Sequence, residues 1–226
     1  MGKTSPLLKA LAIVPGAITG SLSVYWFAVR PWHRRWGATQ NEVEAYWPGD
    51  DLIARPMVSA THAVMIKAPV SKVWPWLVQI GQGRGGFYSY EFVENAMGLK
   101  MENADRILPE WQNLQVGDVV PLAPDGSVDL PVVILQREKA LVLRGDTRIP
   151  GKGAPPVPPG QFLAATWGFH LVEQGAESTR LIERFRLEYT PIMANEFIYK
   201  LFLEAGAFVM ERKMLLGIKR RAEGPY

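Results

Sequence analysis

A glycine-rich stretch, residues 81–98, constrains the fold of this chain more than any other segment. It joins an apolar helical pattern that begins at Val70 to a second helical pattern over residues 87–97. One strand-like run precedes this helix pair, and several follow it up to Tyr189. This order predicts an α+β fold, in which a curved antiparallel sheet wraps around a long C-terminal helix and encloses a cavity.

Alternating side chains assign the faces of the predicted strands 162–172 and 179–189, because successive residues of a strand point to opposite sides. Trp167 shares the apolar face of the first strand with Phe169, and Phe185 lies on the apolar face of the second. These faces are expected to line the cavity. His170 falls on the opposite face of its strand and is predicted to face solvent.

Glu183 is a carboxyl group on an otherwise apolar strand face. A buried carboxylate needs a partner or a raised pKa. The prediction is a salt bridge to an arginine or a position near the cavity rim, with general acid–base chemistry as the alternative. His62 lies on the first predicted strand, residues 59–67, and is expected to be structural.

The glycines around Arg84 have two interpretations. A phosphate-binding loop is excluded because no Gly-Lys-Ser/Thr follows the glycines and no strand leads directly into them. One interpretation is a flexible or tightly turned joint between two helices. The other places Arg84 at a cavity mouth, where it meets an anionic group of a ligand.

The closing segment, residues 191–221, is predicted to be one long amphipathic helix. Its apolar stripe includes Phe208, and Glu204 and Glu211 are assigned to the outer face. Residues 149–160 are rich in proline and glycine and form either a plain surface loop or a lid.

The composition excludes several kinds of site. The chain has no cysteine, so disulfides, thiolate metal sites and cysteine nucleophiles are ruled out. Its three histidines are widely spaced, and no metal or cofactor is predicted. The net charge of +3 is too small to indicate nucleic-acid binding.

Residues 10–29 form an uncharged apolar run that ends in a cluster of aromatic residues and arginines. Its length and flanks predict a single membrane anchor within residues 1–35, with the main domain on the cytoplasmic side. A cleaved signal peptide and a buried or amphipathic helix are the alternatives. Residues 36–57 are predicted to be a linker that packs on the domain, residues 58–226.

Two runs carry a resemblance to a known family: APVSKVWPWLVQIGQGRGGFYSYEFVENAMG and NADRILPEWQNLQVGDVVPL. They resemble bacterial members of the SRPBCC superfamily, the START-like helix-grip proteins that include polyketide cyclases, dehydratases and lipid-transfer domains. The resemblance covers about residues 36–223. It implies a helix-grip fold with an internal pocket, and it transfers no catalytic residue to this chain.

These observations predict a membrane-tethered binding or carrier protein for a hydrophobic small molecule or lipid. The first alternative is a cyclase- or dehydratase-type enzyme in which Glu183, Tyr88 or His62 moves protons. The second is a structural or interaction domain whose pocket is a filled core. The predicted ligand contacts are the wall residues Trp76, Phe87, Tyr90, Trp167, Phe169, Phe185 and Phe208 and the polar residues Arg84 and Glu183.

Overall fold

Six antiparallel strands form one sheet in the computed structural model, which describes residues 23–149 and 156–224. The spatial order is β1-β6-β5-β4-β3-β2, so the first strand of the chain pairs with the last. The strands are β1 (Val58–Ile66), β2 (Val119–Pro121), β3 (Asp129–Gln136), β4 (Ala140–Asp146), β5 (Leu163–Glu173) and β6 (Thr179–Tyr189).

The helices lie before, within and after the strand series, and the last of them is the longest. They are α1 (Arg30–His33), α2 (Gln40–Glu44), α3 (Val70–Val78), α4 (Glu91–Ala96), α5 (Met193–Phe197) and α6 (Glu204–Glu223). π-Helical turns precede α1 (Tyr25–Val29) and join α5 to α6 (Ile198–Leu203), and short 3-10 turns occupy Asp50–Ile53 and Pro109–Trp111. The α+β class and the long C-terminal helix are therefore as predicted.

The second helix of the predicted pair is shorter than expected. It begins at Glu91 instead of residue 87, because Tyr88 adopts a left-handed backbone conformation with φ of 58°. The Tyr88 amide donates to the side-chain oxygen of Asn103, which holds this segment against the following loop. The glycines themselves form a tight turn, in which the backbones of Gly81 and Gly86 hydrogen-bond to each other in both directions.

The main core lies where α3 and α6 pack against the sheet. Trp76 and Leu77 of α3, Leu143 of β4 and Leu215 of α6 are all almost fully buried in it. Gly217 of α6 sits directly on the backbone of Tyr88, which brings the closing helix next to the glycine-rich joint.

The outer face of the sheet is covered by residues 36–57. Arg184 of β6 donates to both carboxylate oxygens of Asp50, and Trp47 stacks on His170 at a ring-centroid distance of 5.1 Å. The prediction that His170 faces solvent is therefore wrong, since its exposed fraction is only 2%. The strand pattern correctly placed His170 on the face of the sheet opposite the cavity, but residues 36–57 cover that face.

The predicted membrane anchor falls mainly outside the described residues, which begin at Ser23. Within the described ranges, no helix is both long enough and apolar enough to cross a bilayer. Half of the predicted loop 149–160 also lies outside them, because residues 150–155 are not described.

Candidate functional site

An apolar cavity of about 360 Å³ lies between the sheet, α4 and α6. The inward faces of β5 and β6 supply one wall, and α6 supplies the facing wall. The lining residues are Phe87, Ser89, Glu94, Met97, Leu99, Met101, Leu122, Val128, Leu130, Gly145, Leu163, Ala165, Trp167, Phe185, Leu187, Leu203, Ala207, Met210, Glu211 and Met214.

Strand alternation explains why these side chains meet. Ala165 and Trp167 of β5 project to the same side as Phe185 of β6, and Trp167 and Phe185 are direct partners in the antiparallel register. Phe87 packs against Trp167 with ring centroids 5.7 Å apart. Four methionines complete the wall, and their unbranched side chains suit an irregular apolar space.

Three polar side chains interrupt this wall: Ser89, Glu94 and Glu211. Glu94 is 4% exposed, and one of its carboxyl oxygens accepts a hydrogen bond from the Ser89 hydroxyl. Its other oxygen, Oε2, has no hydrogen-bond partner among the described residues. Burial raises the pKa of Glu94, while the Ser89 bond opposes that rise. The cavity therefore contains an incompletely satisfied carboxyl group.

Glu211 connects the cavity to a buried cluster that it forms with His62 and Glu183. His62 and Glu183 are opposite each other in the β1–β6 register, and His62 Nδ1 lies 2.8 Å from Glu183 Oε2 and 3.4 Å from Glu211 Oε2. His62 Nε2 lies 2.8 Å from the His33 carbonyl oxygen, which can only accept, so this nitrogen carries a hydrogen. Trp167 Nε1 donates to the other Glu183 oxygen at 2.6 Å.

The protonation of this cluster follows from its burial and pairing. Burial alone would lower the pKa of His62, but the hydrogen bond to Glu183 and the nearby carboxyl charges raise it to about 9. Burial, reinforced by the Glu183 charge, raises the pKa of Glu211 to about 8. At neutral pH, His62 is therefore a cation paired with Glu183, and Glu211 is a neutral carboxylic acid.

The same three side chains offer one nitrogen and two carboxylate oxygens within 4.8 Å of one another. This donor set is one that divalent transition metals accept. In the structure, the hydrogen bond from His62 to Glu183 already pairs the histidine with one of the two carboxyl groups.

Three of the nine predicted ligand contacts, Phe87, Trp167 and Phe185, line the cavity. Arg84 does not: its guanidinium donates to the carbonyls of Ile80 and Val78 at the end of α3 and stacks over the ring of Trp111. The structure thus gives Arg84 the role of closing α3, with no ligand-facing position at this cavity.

The remaining predicted contacts lie outside the cavity wall. Trp76 and Phe169 are fully buried in the core. Glu183 does not line the wall itself but accepts a hydrogen bond from Trp167, which does. Phe208 packs against His62. The Tyr90 ring lies near the Lys213 ammonium group, at 5.3 Å.

Tyr88, one of the predicted proton-moving residues, does not line the cavity, although its neighbours Phe87 and Ser89 do. Its hydroxyl donates to the Trp76 carbonyl, and burial raises its pKa far above the usual value. The Tyr88 hydroxyl therefore stays protonated, and its hydrogen bond is made within the core.

Glu94 and Glu211 were not predicted as site residues, and the prediction that Glu204 and Glu211 lie on the outer helix face is wrong. Both of these helix residues are buried, at 6% and 9% exposure. A signal for Glu211 was present, because it lies three residues from Phe208 and three from Met214, which is the spacing of one helix face. Glu94 offered no such signal, since its burial depends on loops around α4.

Comparisons with known proteins identify structural similarity only. No protein-family model matches the chain, and no curated protein matches it. Among solved structures, a protein from Mesorhizobium loti is 13% identical, with a TM-score of 0.42 over 73% of this chain and 96% of that one. KanY is 16% identical, with a TM-score of 0.42 over 75% and 100% of the two chains. Norcoclaurine synthase from Thalictrum flavum is 11% identical, with a TM-score of 0.39 over 72% and 91%.

Proposed function

We propose that this protein binds a hydrophobic small molecule in the cavity between its sheet and α6. The observation that carries the proposal is the cavity itself, whose volume of about 360 Å³ is in the range of small-molecule sites. Of the described residues that line it, all but three are apolar or lack a polar side chain that ionises or bonds through a hydroxyl, as expected for a site that binds by burying apolar surface. A domain with a purely structural role needs no such void.

Native mass spectrometry of the full chain, purified from cells in a mild detergent, tests this proposal. We expect adducts that disappear under denaturing conditions, because an apolar cavity retains a hydrophobic molecule during purification. Repeated absence of adducts, together with no binding of a neutral hydrophobic dye, contradicts the proposal.

An enzyme of the cyclase or dehydratase type is the second candidate. The specific observation in its favour is that Glu94 and Glu211, two carboxyl groups whose pKa values burial raises, line one cavity. Carboxyl groups tuned in this way serve as general acids or bases near neutral pH. The helix-grip architecture implied by the sequence resemblance fits either function.

Incubation with aromatic or polyketide-like precursors, followed by mass spectrometry for loss of one water molecule, distinguishes the enzyme from the carrier. The enzyme releases water from a bound precursor, and the glutamine variants of Glu94 and Glu211 lose that turnover while still binding. A carrier returns every precursor unchanged.

We also propose that the apolar surface formed by residues 24–29 and 192–203 contacts a lipid bilayer. Its most exposed side chains include Phe27, at 80%, and Met193, at 88%. The two segments are adjacent, because the Tyr25 hydroxyl donates to the Lys200 carbonyl, and they border a groove of about 540 Å³. Residues 23–36 contain three arginines and no carboxylate. Arg30 is paired with Glu204, whereas Arg35 donates to the neutral side chain of Gln40 and keeps a charge that favours an anionic lipid surface. Contact with the bilayer at this surface would keep the cavity close to the lipid in which hydrophobic ligands dissolve.

A further inference from the structure

The polar groups of the cavity restrict the chemistry of its ligand, if the proposed binding function holds. Among the described lining residues, the ionisable side chains are Glu94 and Glu211, and neither lysine, arginine nor histidine lines the wall. The cavity therefore offers an anionic or acidic head group no cationic partner. This differs from pockets for fatty acids or phospholipids, which need a partner for the negative charge.

The nearby arginines do not supply that partner, because each is held elsewhere. Arg84 donates to the carbonyls at the end of α3. Arg212 lies over the Trp36 ring, and Arg221 pairs with Asp105. Moving any of them to the cavity would break these contacts.

The carboxyl group of Glu94 is the part of the cavity wall whose hydrogen bonding is incomplete. The Glu94 side chain lines the cavity, and it is more than nine-tenths buried. Ser89 satisfies Oε1, whereas Oε2 has no hydrogen-bond partner in the part of the chain that the structure describes. A buried acceptor without a partner is destabilising, and a ligand that donates a hydrogen bond there removes this cost.

We infer that the cavity selects apolar molecules whose head group is a hydrogen-bond donor without negative charge, such as an amine or an alcohol, and that Glu94 binds this head group. A protonated amine adds charge pairing to the hydrogen bond at Glu94 Oε2. An alcohol makes the hydrogen bond alone. A carboxylate meets only carboxyl groups and is disfavoured.

Three ligands with the same ten-carbon chain test this inference: decylamine, decanol and decanoic acid. Each competes with the neutral dye Nile red for the full-length protein at pH 7.5. We expect decylamine to compete best and decanoic acid to compete about tenfold or more weaker. Failure of all three to compete, without any dye binding, contradicts the binding function itself. Equal or stronger competition by decanoic acid contradicts only the head-group inference.

The variant Glu94→Gln tests whether Glu94 causes the preference for decylamine over decanoic acid. This variant keeps an oxygen that can accept from Ser89 but removes the charge, so the preference for decylamine over decanoic acid is expected to fall about tenfold. Glu177→Gln, an exposed residue between β5 and β6, makes the same charge change as a control. Unchanged selectivity in Glu94→Gln, with dye binding intact, overturns the assignment.

Glu94→Leu provides a second arm if Glu94→Gln does not fold, because it removes the carboxyl group without placing an amide in the apolar wall. The preference for decylamine over decanoic acid is expected to fall as it does in Glu94→Gln. Retention of the full preference in Glu94→Leu, with dye binding intact, contradicts a direct role for the Glu94 carboxyl.

Discussion

Glu211 lies at the boundary between the apolar cavity and the buried His62–Glu183 pair. It is held there as a neutral acid, since burial raises its pKa to about 8. The residue therefore shows how the fold accommodates three titratable groups in its interior. His62 carries a positive charge next to Glu183, and Glu211 keeps its proton.

This arrangement predicts how stability depends on pH. A carboxyl group whose pKa in the folded state lies above its ordinary 4.5 binds its proton more tightly when folded. Its stabilising effect is complete below pH 4.5 and is lost as the pH rises towards 8. In Glu211→Gln, we expect the free energy of unfolding to fall less between pH 5 and 8 than in the wild type, by about 1 kcal/mol or more.

Urea denaturation at several pH values measures this difference. Glu177→Gln serves as the control because its side chain is exposed. Parallel pH profiles for the wild type and Glu211→Gln would show that Glu211 ionises normally in the folded protein.

The His62–Glu183 pair shows a limit of prediction from sequence. The strand pattern correctly predicted that Glu183 lies on an apolar face, and it placed His62 on the first strand. Their pairing depends on β1 lying beside β6 in a register that joins residues 121 positions apart. No local pattern contains that register, so an arginine was the expected partner instead of His62.

At the level of secondary structure, the closing helix and the glycine-rich joint fit together through one close contact. A Cβ atom added at Gly217 lies 2.3 Å from the Tyr88 carbonyl oxygen. Gly206 lies in the same helix, but a Cβ atom there meets nothing within 4 Å. The same helix therefore has one glycine in a crowded position and one in an open position, and alanine can be compared at both.

We expect opposite effects from alanine at these two positions. Gly217→Ala forces α6 away from the backbone of Tyr88 and is expected to destabilise the protein by about 2 kcal/mol. Gly206→Ala gains helix propensity without a clash and is expected to stabilise it by up to about 1 kcal/mol. Equilibrium denaturation measures both changes, and equal effects would contradict the close contact.

The elements themselves were largely predictable, because apolar alternation and helical spacing are local signals. The strands β5 and β6, the helix α3 and the amphipathic closing segment all follow from such patterns. The shorter α4 was not predictable in the same way. Its start depends on Tyr88 adopting a left-handed conformation that the bond to Asn103 holds, and this bond joins distant residues.

At the scale of the whole molecule, the exposed apolar surface is continuous with the wall of the cavity. Leu203 lines the cavity and is itself 41% exposed, next to Phe202 at 62%. The surface defined above by residues 24–29 and 192–203 therefore reaches the cavity wall. A bilayer against this surface would be close to the ligand.

Liposome flotation of the full chain tests this placement. We expect binding to vesicles of phosphatidylcholine and phosphatidylglycerol, and about tenfold weaker binding for Phe197→Glu/Phe202→Glu, because carboxylates oppose insertion of this surface. Phe92→Glu changes an exposed aromatic on α4, at 74% against 57% for Phe197 and 62% for Phe202, and serves as the control. Flotation of the double variant at the wild-type level would show that this surface does not contact the bilayer.

The central claim is that the cavity is an open binding site, and one pair of variants tests it most directly. Ala207 lines the cavity wall on α6, whereas Ala205, two residues earlier on the same helix, does not contribute to it. The measurement is a Nile red titration of wild type, Ala207→Phe and Ala205→Phe, each with a native circular dichroism spectrum. We expect saturable binding that Ala207→Phe abolishes and Ala205→Phe retains; equal binding by both variants would contradict an open binding site in this cavity.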